Sequence, residues 1–177
     1  MNYTFIIPFY NEDQNVHTLN KEIISNIKKI DDGKRKFEII YVDDGSKDNT
    51  FNELKKLSTN YIDTLILKHR TNFSQSAALN TGISESKYEN LIIMDGDLQN
   101  DPEDLSNMLN EYEKGVDMII GWRQKRQDSF FSKTLPSIVA NFIVRMLSKS
   151  KIHDHGCAFK IFKKNTIDDL TNWGDFH

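Results

Sequence analysis

The chain has 177 residues, enough for one domain with a sizeable core. A composition of 38% hydrophobic and 28% charged residues excludes a disordered chain, and a net charge of −3 removes the global basic field that nucleic-acid binding needs. No apolar run approaches the roughly 20 residues that span a bilayer, no signal peptide is expected, and the single cysteine permits no intrachain disulfide, so a cytosolic setting fits. Cys157 reads as a small core residue.

Tyr3 to Pro8 is apolar and β-rich and predicts a first strand, broken into a loop by Pro8-Phe9-Tyr10-Asn11-Glu12. Val16, Leu19, Ile23, Ile24, Ile27 and Ile30 recur at three- and four-residue spacing, the period of an amphipathic helix, which Asp31-Asp32-Gly33 ends. Phe37 to Val42 predicts the second strand and runs into Asp43-Asp44-Gly45-Ser46. Ser46, Asp48 and Thr50 each offer a cap for the next helix, with Phe51, Leu54 and Leu57 on its inner face. Thr64 to Lys68 is a short third strand, Arg70 to Gln75 a polar loop, and Ser76 to Ser86 a helix of small residues.

Leu91-Ile92-Ile93-Met94 then runs straight into Asp95-Gly96-Asp97-Leu98-Gln99. A strand covered on both faces need not alternate, so this run reads as a buried central strand. Asp101 and Pro102 supply the N-cap and first residue of the next helix, whose apolar side is Leu105, Met108, Leu109 and Tyr112 and which Lys114-Gly115 closes. Met118 to Gly121 is a further strand, ending at Trp122-Arg123. The alternation predicts right-handed βαβ units: an α/β fold with a mostly parallel sheet flanked by helices, in one domain over 1–177.

In a parallel sheet the loops at strand carboxyl ends share one edge, where open α/β sheets bind ligands. Tyr10 to Glu12, Asp43 to Ser46, Asp95 to Gln99 and Arg123 all fall there. Asp95 and Asp97, with only Gly96 between them, leave room for a cation, and Gln99 adds a neutral carbonyl oxygen. Hard ions such as Mg²⁺ or Mn²⁺ take oxygen ligands and share them with substrate phosphates. The same residues also suit an acidic, solvated turn. The chain has no G-x-x-x-x-G-K-[ST] and no G-x-G-x-x-G loop, so phosphates would be neutralised by metal and arginine rather than by a glycine cradle.

Residues 130–149 carry a wide apolar stripe that includes Leu135, Ile138, Phe142 and Met146. Lys133, Ser137, Asn141, Arg145 and Lys149 recur every fourth residue on the other side. Two readings stand: an amphipathic helix on the core or a dimer interface, or one lying in a membrane interface with its basic residues toward lipid headgroups. His153-Asp154-His155-Gly156-Cys157 fits no zinc spacing well and reads as a loop. Ala158 to Phe162 is a last short strand, and Lys163 to His177 a short helix with a frayed end.

Five motifs occur in order: Ile7-Pro8-Phe9-Tyr10-Asn11-Glu12, Val42-Asp43-Asp44-Gly45-Ser46, Asn72-Phe73-Ser74-Gln75-Ser76-Ala77-Ala78-Leu79, Met94-Asp95-Gly96-Asp97-Leu98-Gln99 and Gly156-Cys157. Together they resemble family 2 glycosyltransferases of the GT-A (Rossmann-like) fold, and within them the polyprenyl-phosphate branch that serves dolichyl and undecaprenyl phosphate. The resemblance covers nearly the whole chain. It implies an inverting, metal-dependent transfer of a sugar from a UDP- or GDP-sugar to a polyprenyl phosphate. Residue by residue, it implies nucleoside contacts at Pro8, Tyr10, Glu12, Val42 and Asp44 with Asp43 alongside, Gly96 lining the nucleotide sugar, and Mg²⁺ or Mn²⁺ held by Asp95, Asp97 and Gln99. Arg123 matches an arginine near the diphosphate or acceptor phosphate, and Asp154 to Cys157 match an acceptor-side motif.

The resemblance also turns 130–149 into an interfacial helix, and so implies a peripheral site at the cytoplasmic face of the membrane. Something must cover that apolar stripe: lipid, a second copy of the chain or a membrane partner subunit. Such enzymes continue past the Gly-Cys motif with a second interfacial helix and a late basic segment. They usually carry glycine where this chain has Ser74, and arginine where it has Thr71.

A lipid phosphate is largely dianionic at neutral pH and needs no protein base, whereas a sugar hydroxyl does, and Asp154 would be the candidate. Three other readings remain open: transfer to a glycan hydroxyl, a truncated nucleotide-sugar-binding module, and a phosphatase with an Asp-x-Asp nucleophile loop. That last loop usually follows a first strand rather than a later one.

Overall fold

The computed structural model describes residues 1–57, 61–122 and 157–167. Arg123, the 130–149 segment and Asp154 therefore lie outside the described residues. In chain order the elements are β1 (Asn2–Phe9), α1 (Val16–Ile30), β2 (Lys36–Asp43), α2 (Thr50–Lys55), β3 (Asp63–Lys68) and α3 (Gln75–Glu85). Then follow β4 (Asn90–Ile93), a 3₁₀ turn (Pro102–Asp104), α4 (Leu105–Tyr112), β5 (Met118–Ile120), β6 (Lys160–Lys163) and a second 3₁₀ turn (Lys164–Ile167).

The six strands form one sheet in the order β3-β2-β1-β4-β6-β5. β1 pairs in parallel with both β2 and β4, and β2 with β3. The expected mostly parallel sheet flanked by helices is present, with one antiparallel strand. β6 runs antiparallel to both β4 and β5. β5 therefore points the same way as β4, and its carboxyl end reaches the same edge.

β1 is buried from Tyr3 to Phe9 because helices cover both faces of the sheet. Tyr3, Phe5, Ile7 and Phe9 join Ile39, Tyr41, Ile92 and Met94 beneath the apolar faces of α1 and α4. All four apolar residues assigned to α4 are buried. On the other face, Ile6, Leu91 and Ile93 meet Ile83, while Ile40 and Val42 meet Ala78. The small residues of α3 now have a reason. A Cβ on Gly82 would sit 2.4 Å from Cγ2 of Ile6, so only glycine lets that helix lie so close to β1. Cys157 is buried as expected, its thiol donating to Asn100 Oδ1 at 3.4 Å.

The start of the fourth helix differs from expectation. Asp101 does cap it, accepting from the Glu103 N–H at 2.9 Å, but the first turn is 3₁₀ and α4 proper begins at Leu105.

Opposite the carboxyl edge, one ion pair ties three elements. Arg35 donates from Nε and Nη2 to the two oxygens of Glu113 at 2.8 and 2.7 Å, and the Tyr3 hydroxyl donates to Glu113 at 2.8 Å. This bidentate pair joins the start of β2 and of β1 to the end of α4. The Arg35 guanidinium brings the Glu113 carboxyl down from 4.5 to about 2, against an opposing push from burial and with help from Tyr3. A carboxyl depressed in the fold contributes stability above its unfolded value, and that contribution fades as pH falls through the folded value. The urea midpoint of the unchanged chain should exceed that of Glu113→Gln at pH 7, and the gap should close as pH falls from 4.5 toward 2.

Candidate active site

Parallel pairing delivers the loops after β1, β2, β3 and β4 to one edge. The first two are stitched into a unit. Asn11, at φ +56°, donates its N–H to Ser46 Oγ at 2.9 Å and accepts the Lys47 N–H on Oδ1 at 2.8 Å. The Glu12 N–H donates to Thr50 Oγ1 at 2.8 Å, and the Asp13 N–H to Asp48 Oδ2 at 3.3 Å. Asp48, one of the offered caps, also accepts the Thr50 N–H at 3.0 Å. Burial works to raise the Asp48 carboxyl, but the hydrogen bonds from Thr50 and Asp13 outweigh it and hold it low.

The loop between β3 and α3 is held by Asp44. Its buried carboxylate accepts the N–H groups of Phe73 at 2.9 Å and Ser74 at 3.0 Å, and pairs with His69 Nδ1 at 2.7 Å. His69 Nε2 lies 2.9 Å from Thr81 Oγ1 on α3. This clamp draws the loop over Gly45, which stands at φ +68° and where a Cβ would meet the Thr71 backbone at 2.2 Å. It also sets Ser74 at φ +98° and ψ 158°, a conformation that favours glycine, while the Ser74 side chain caps α3. The departure from glycine seen in the sequence thus falls on a strained residue.

The acid loop packs directly on β1. A Cβ on Gly96 would lie 2.7 Å from the Phe9 ring and 2.9 Å from the Pro8 carbonyl oxygen. Asp95 Oδ1 accepts from Gln75 Nε2 at 2.5 Å, and Asp97 Oδ1 from the Gln99 N–H at 3.0 Å. Both carboxylates open on a cleft of about 420 Å³ that Pro8, Phe9, Tyr10, Glu12, Asp44, Asn72, Ser74, Gln75 and Gly96 also line. Burial pushes the Glu12 carboxyl up; the Asn15 amide opposes this, and the negative charges of Asp97 and Asp48 add to it.

Seven residues singled out in the sequence, Pro8, Tyr10, Glu12, Asp44, Asp95, Gly96 and Asp97, therefore meet in one cleft. Three others are placed elsewhere. Val42 is fully buried against Ile40 and Ala78, because the alternation of β2 turns it to the α3 face. Asp43 is also fully buried; it accepts the Ser46 N–H at 3.1 Å, and Lys68 Nζ stands 3.9 Å away. Gln99 lines a separate hollow of about 740 Å³ beside α1, since Leu98 at φ +62° turns the chain there. Gln75, Asn72 and Phe9 are additions that the sequence reading assigned no role. Only their place in or beside a motif marked them.

The donor set fits a hard divalent ion. Among the described residues no group of three or more His, Cys, Asp or Glu converges as a cage. Two carboxylates flanking a glycine suit an ion that takes its remaining oxygens from a phosphate ligand and water.

The mostly parallel sheet, with an acid pair beyond the tip of a central strand, has the GT-A fold of solved glycosyltransferases. A solved structure of this class, the mannosyltransferase PcManGT from Pyrobaculum calidifontis in complex with GDP-Man and Mn²⁺, matches with a TM-score of 0.63 at 20% identity, over 95% of this chain and 46% of that one. Residues 4–171 match the family described as Glycosyl transferase family 2, and the chain belongs to it. It is 34% identical over 176 residues to a dodecaprenyl-phosphate galacturonate synthase of Rhizobium johnstonii, covering 98% of this chain and 51% of that protein. It is 31% identical over 168 residues to an undecaprenyl-phosphate 4-deoxy-4-formamido-L-arabinose transferase of Proteus mirabilis, covering 93% of this chain and 50% of that protein. The chain thus spans about half the length of these curated relatives.

Ser74→Gly should raise stability by about 1 kcal/mol. It relieves the backbone strain at φ +98° and loses only a cap that glycine replaces at small cost. Thermal unfolding reads the outcome, and an unchanged or lower midpoint contradicts it.

Proposed function

We propose that this chain carries the catalytic part of an inverting glycosyltransferase that moves a sugar from a nucleotide-diphosphate donor to a polyprenyl phosphate. The observation that carries the reading is the meeting of Asp95 and Asp97 with Tyr10, Glu12 and Asp44 in one cleft. Curated relatives that use dodecaprenyl and undecaprenyl phosphate over nearly the whole chain support the acceptor class.

Tyr10, exposed by 41%, offers a ring face to the base, and the clamp at Asp44 supports the wall beside it. Asp95 and Asp97 hold Mg²⁺ or Mn²⁺. Bound there, the ion offsets the charge that grows on the diphosphate as the glycosidic bond breaks. The acceptor phosphate, with a second pKa of about 6 by analogy with phosphorylated side chains, is largely dianionic at neutral pH. An oxygen of that dianion forms the new bond to the anomeric carbon, the bond to the donor diphosphate breaks, and the nucleoside diphosphate leaves with the electron pair. No proton need move, so no protein base is required. Inversion follows from attack opposite the leaving group.

In this reading Arg123 contacts a phosphate, Asp154 belongs to the acceptor side, and 130–149 rests on the cytoplasmic membrane surface that holds the prenyl tail. No described helix is long and apolar enough to cross a membrane.

Calorimetry against UDP-, GDP- and dTDP-sugars, with and without Mn²⁺, should show one donor base preferred and its binding strengthened by the metal. Asp97→Ala should lower transfer by roughly 10²–10³-fold, the scale of losing one group that stabilises transition-state charge. Labelled sugar should partition into organic solvent with the lipid. A water-soluble product would instead indicate a glycan acceptor or hydrolysis. Donor binding with no turnover would leave a binding module, and phosphate release without any sugar donor would indicate a phosphatase.

A further inference from the structure

We propose that Gln75 is a positioning residue for the cation: its side-chain amide holds Asp95 in the orientation from which the carboxylate meets a divalent ion. The inference rests on the metal reading above and adds a residue to it.

Gln75 Nε2 donates to Asp95 Oδ1 at 2.5 Å, and the two side chains line the same cleft as Asp97. A carboxylate only accepts hydrogen bonds, so the amide must present its nitrogen. The backbone that carries the donor is itself fixed. Gln75 is the first residue of α3, directly after the Ser74 cap, and Asp44 holds the N–H groups of Phe73 and Ser74. A rigid anchor thus runs from the loop after β2, through the start of α3, to the loop after β4.

The side-chain type matters as much as the distance. A lysine or arginine at this position would neutralise Asp95 and compete with a cation. A glutamate would repel the carboxylate. A neutral amide fixes direction and leaves the negative charge available to a metal. Hydrogen-bonding partners of ligating carboxylates do this elsewhere, and their loss typically lowers metal affinity 10–100-fold. Gln75 is exposed, so replacing its amide opens no cavity in the core.

The test follows the electron paramagnetic resonance signal of free Mn²⁺ as the full chain is added, with UDP and separately with GDP at fixed concentration. The unchanged protein, Gln75→Met and Asp95→Asn are compared. Gln75→Met should weaken Mn²⁺ retention by roughly 10–100-fold, in the direction of Asp95→Asn. Its unfolding temperature should stay within about 2 °C, as expected of a surface substitution. Mn²⁺ titration of Gln75→Met identical to that of the unchanged chain overturns the positioning role and leaves the metal reading intact. If the unchanged chain retains no more Mn²⁺ than the nucleotide alone, the metal reading fails, and the role of Gln75 fails with it.

Discussion

The Asp44 carboxylate, only 2% exposed, accepts from Phe73, Ser74 and His69 together, and the form of the cleft depends on that contact. A buried carboxylate without partners costs several kcal/mol, so the loop between β3 and α3 must come to it. Once it does, Gly45 has no room for a side chain, Ser74 takes up a strained conformation, and Gln75 arrives beside Asp95. The residues that line one wall of the cleft are placed by a charge that sits behind it.

That cleft gathers Glu12, Asp44, Asp95 and Asp97, and burial has already pushed the Glu12 carboxyl up, with the charge of Asp97 adding to the rise. A diphosphate brought into such a place meets repulsion. At an effective dielectric near 20, two like charges about 4 Å apart repel by about 4 kcal/mol, comparable to much of a ligand's binding free energy. A divalent ion held by Asp95 and Asp97 would reverse the sign of that interaction. In the proposed reading the acid pair and the ion would therefore act together, since the acid pair alone would repel a diphosphate.

The elements were legible because their periodicities are strong. The three- and four-residue spacing from Val16 to Ile30 returned as α1, and the unbroken apolar run before Asp95 returned as a strand buried on both faces. The convergence of Tyr10, Glu12, Asp44, Asp95 and Asp97 followed from parallel topology alone, since it needs only the carboxyl ends to share an edge. Side-chain direction was less legible. Val42 and Asp43 stand in the right motif yet turn inward, because strand alternation and the turn at Gly45 decide what faces the ligand. Gln99 was displaced by the left-handed backbone at Leu98, a conformation that leucine does not announce. Gln75 went unassigned because its partner is 20 residues away and meets it only through the clamp at Asp44.

Among the described residues, those that meet in the cleft come from one stretch of chain, Pro8 to Asp97. Those the resemblance assigns to the acceptor side come from Asp154 to Cys157, on a later stretch. A division of this kind separates two physical tasks. Gripping a diphosphate through a cation would fall to Asp95 and Asp97, which the parallel core holds beyond a rigid strand end. In the proposed reading, meeting a lipid phosphate would need a surface that matches a membrane, a role the amphipathic sequence pattern of 130–149 suits. The antiparallel strand β6 lies between β4 and β5, so the chain that enters it at Cys157 returns to the core beside the strand that carries the acid pair. The thiol of Cys157 donates to Asn100 Oδ1, three residues beyond Asp97, and this buried hydrogen bond ties the segment leading into β6 to the acid loop. In the proposed reading, donor and acceptor residues can therefore differ in composition and still be tied together through β6 and the Cys157–Asn100 contact.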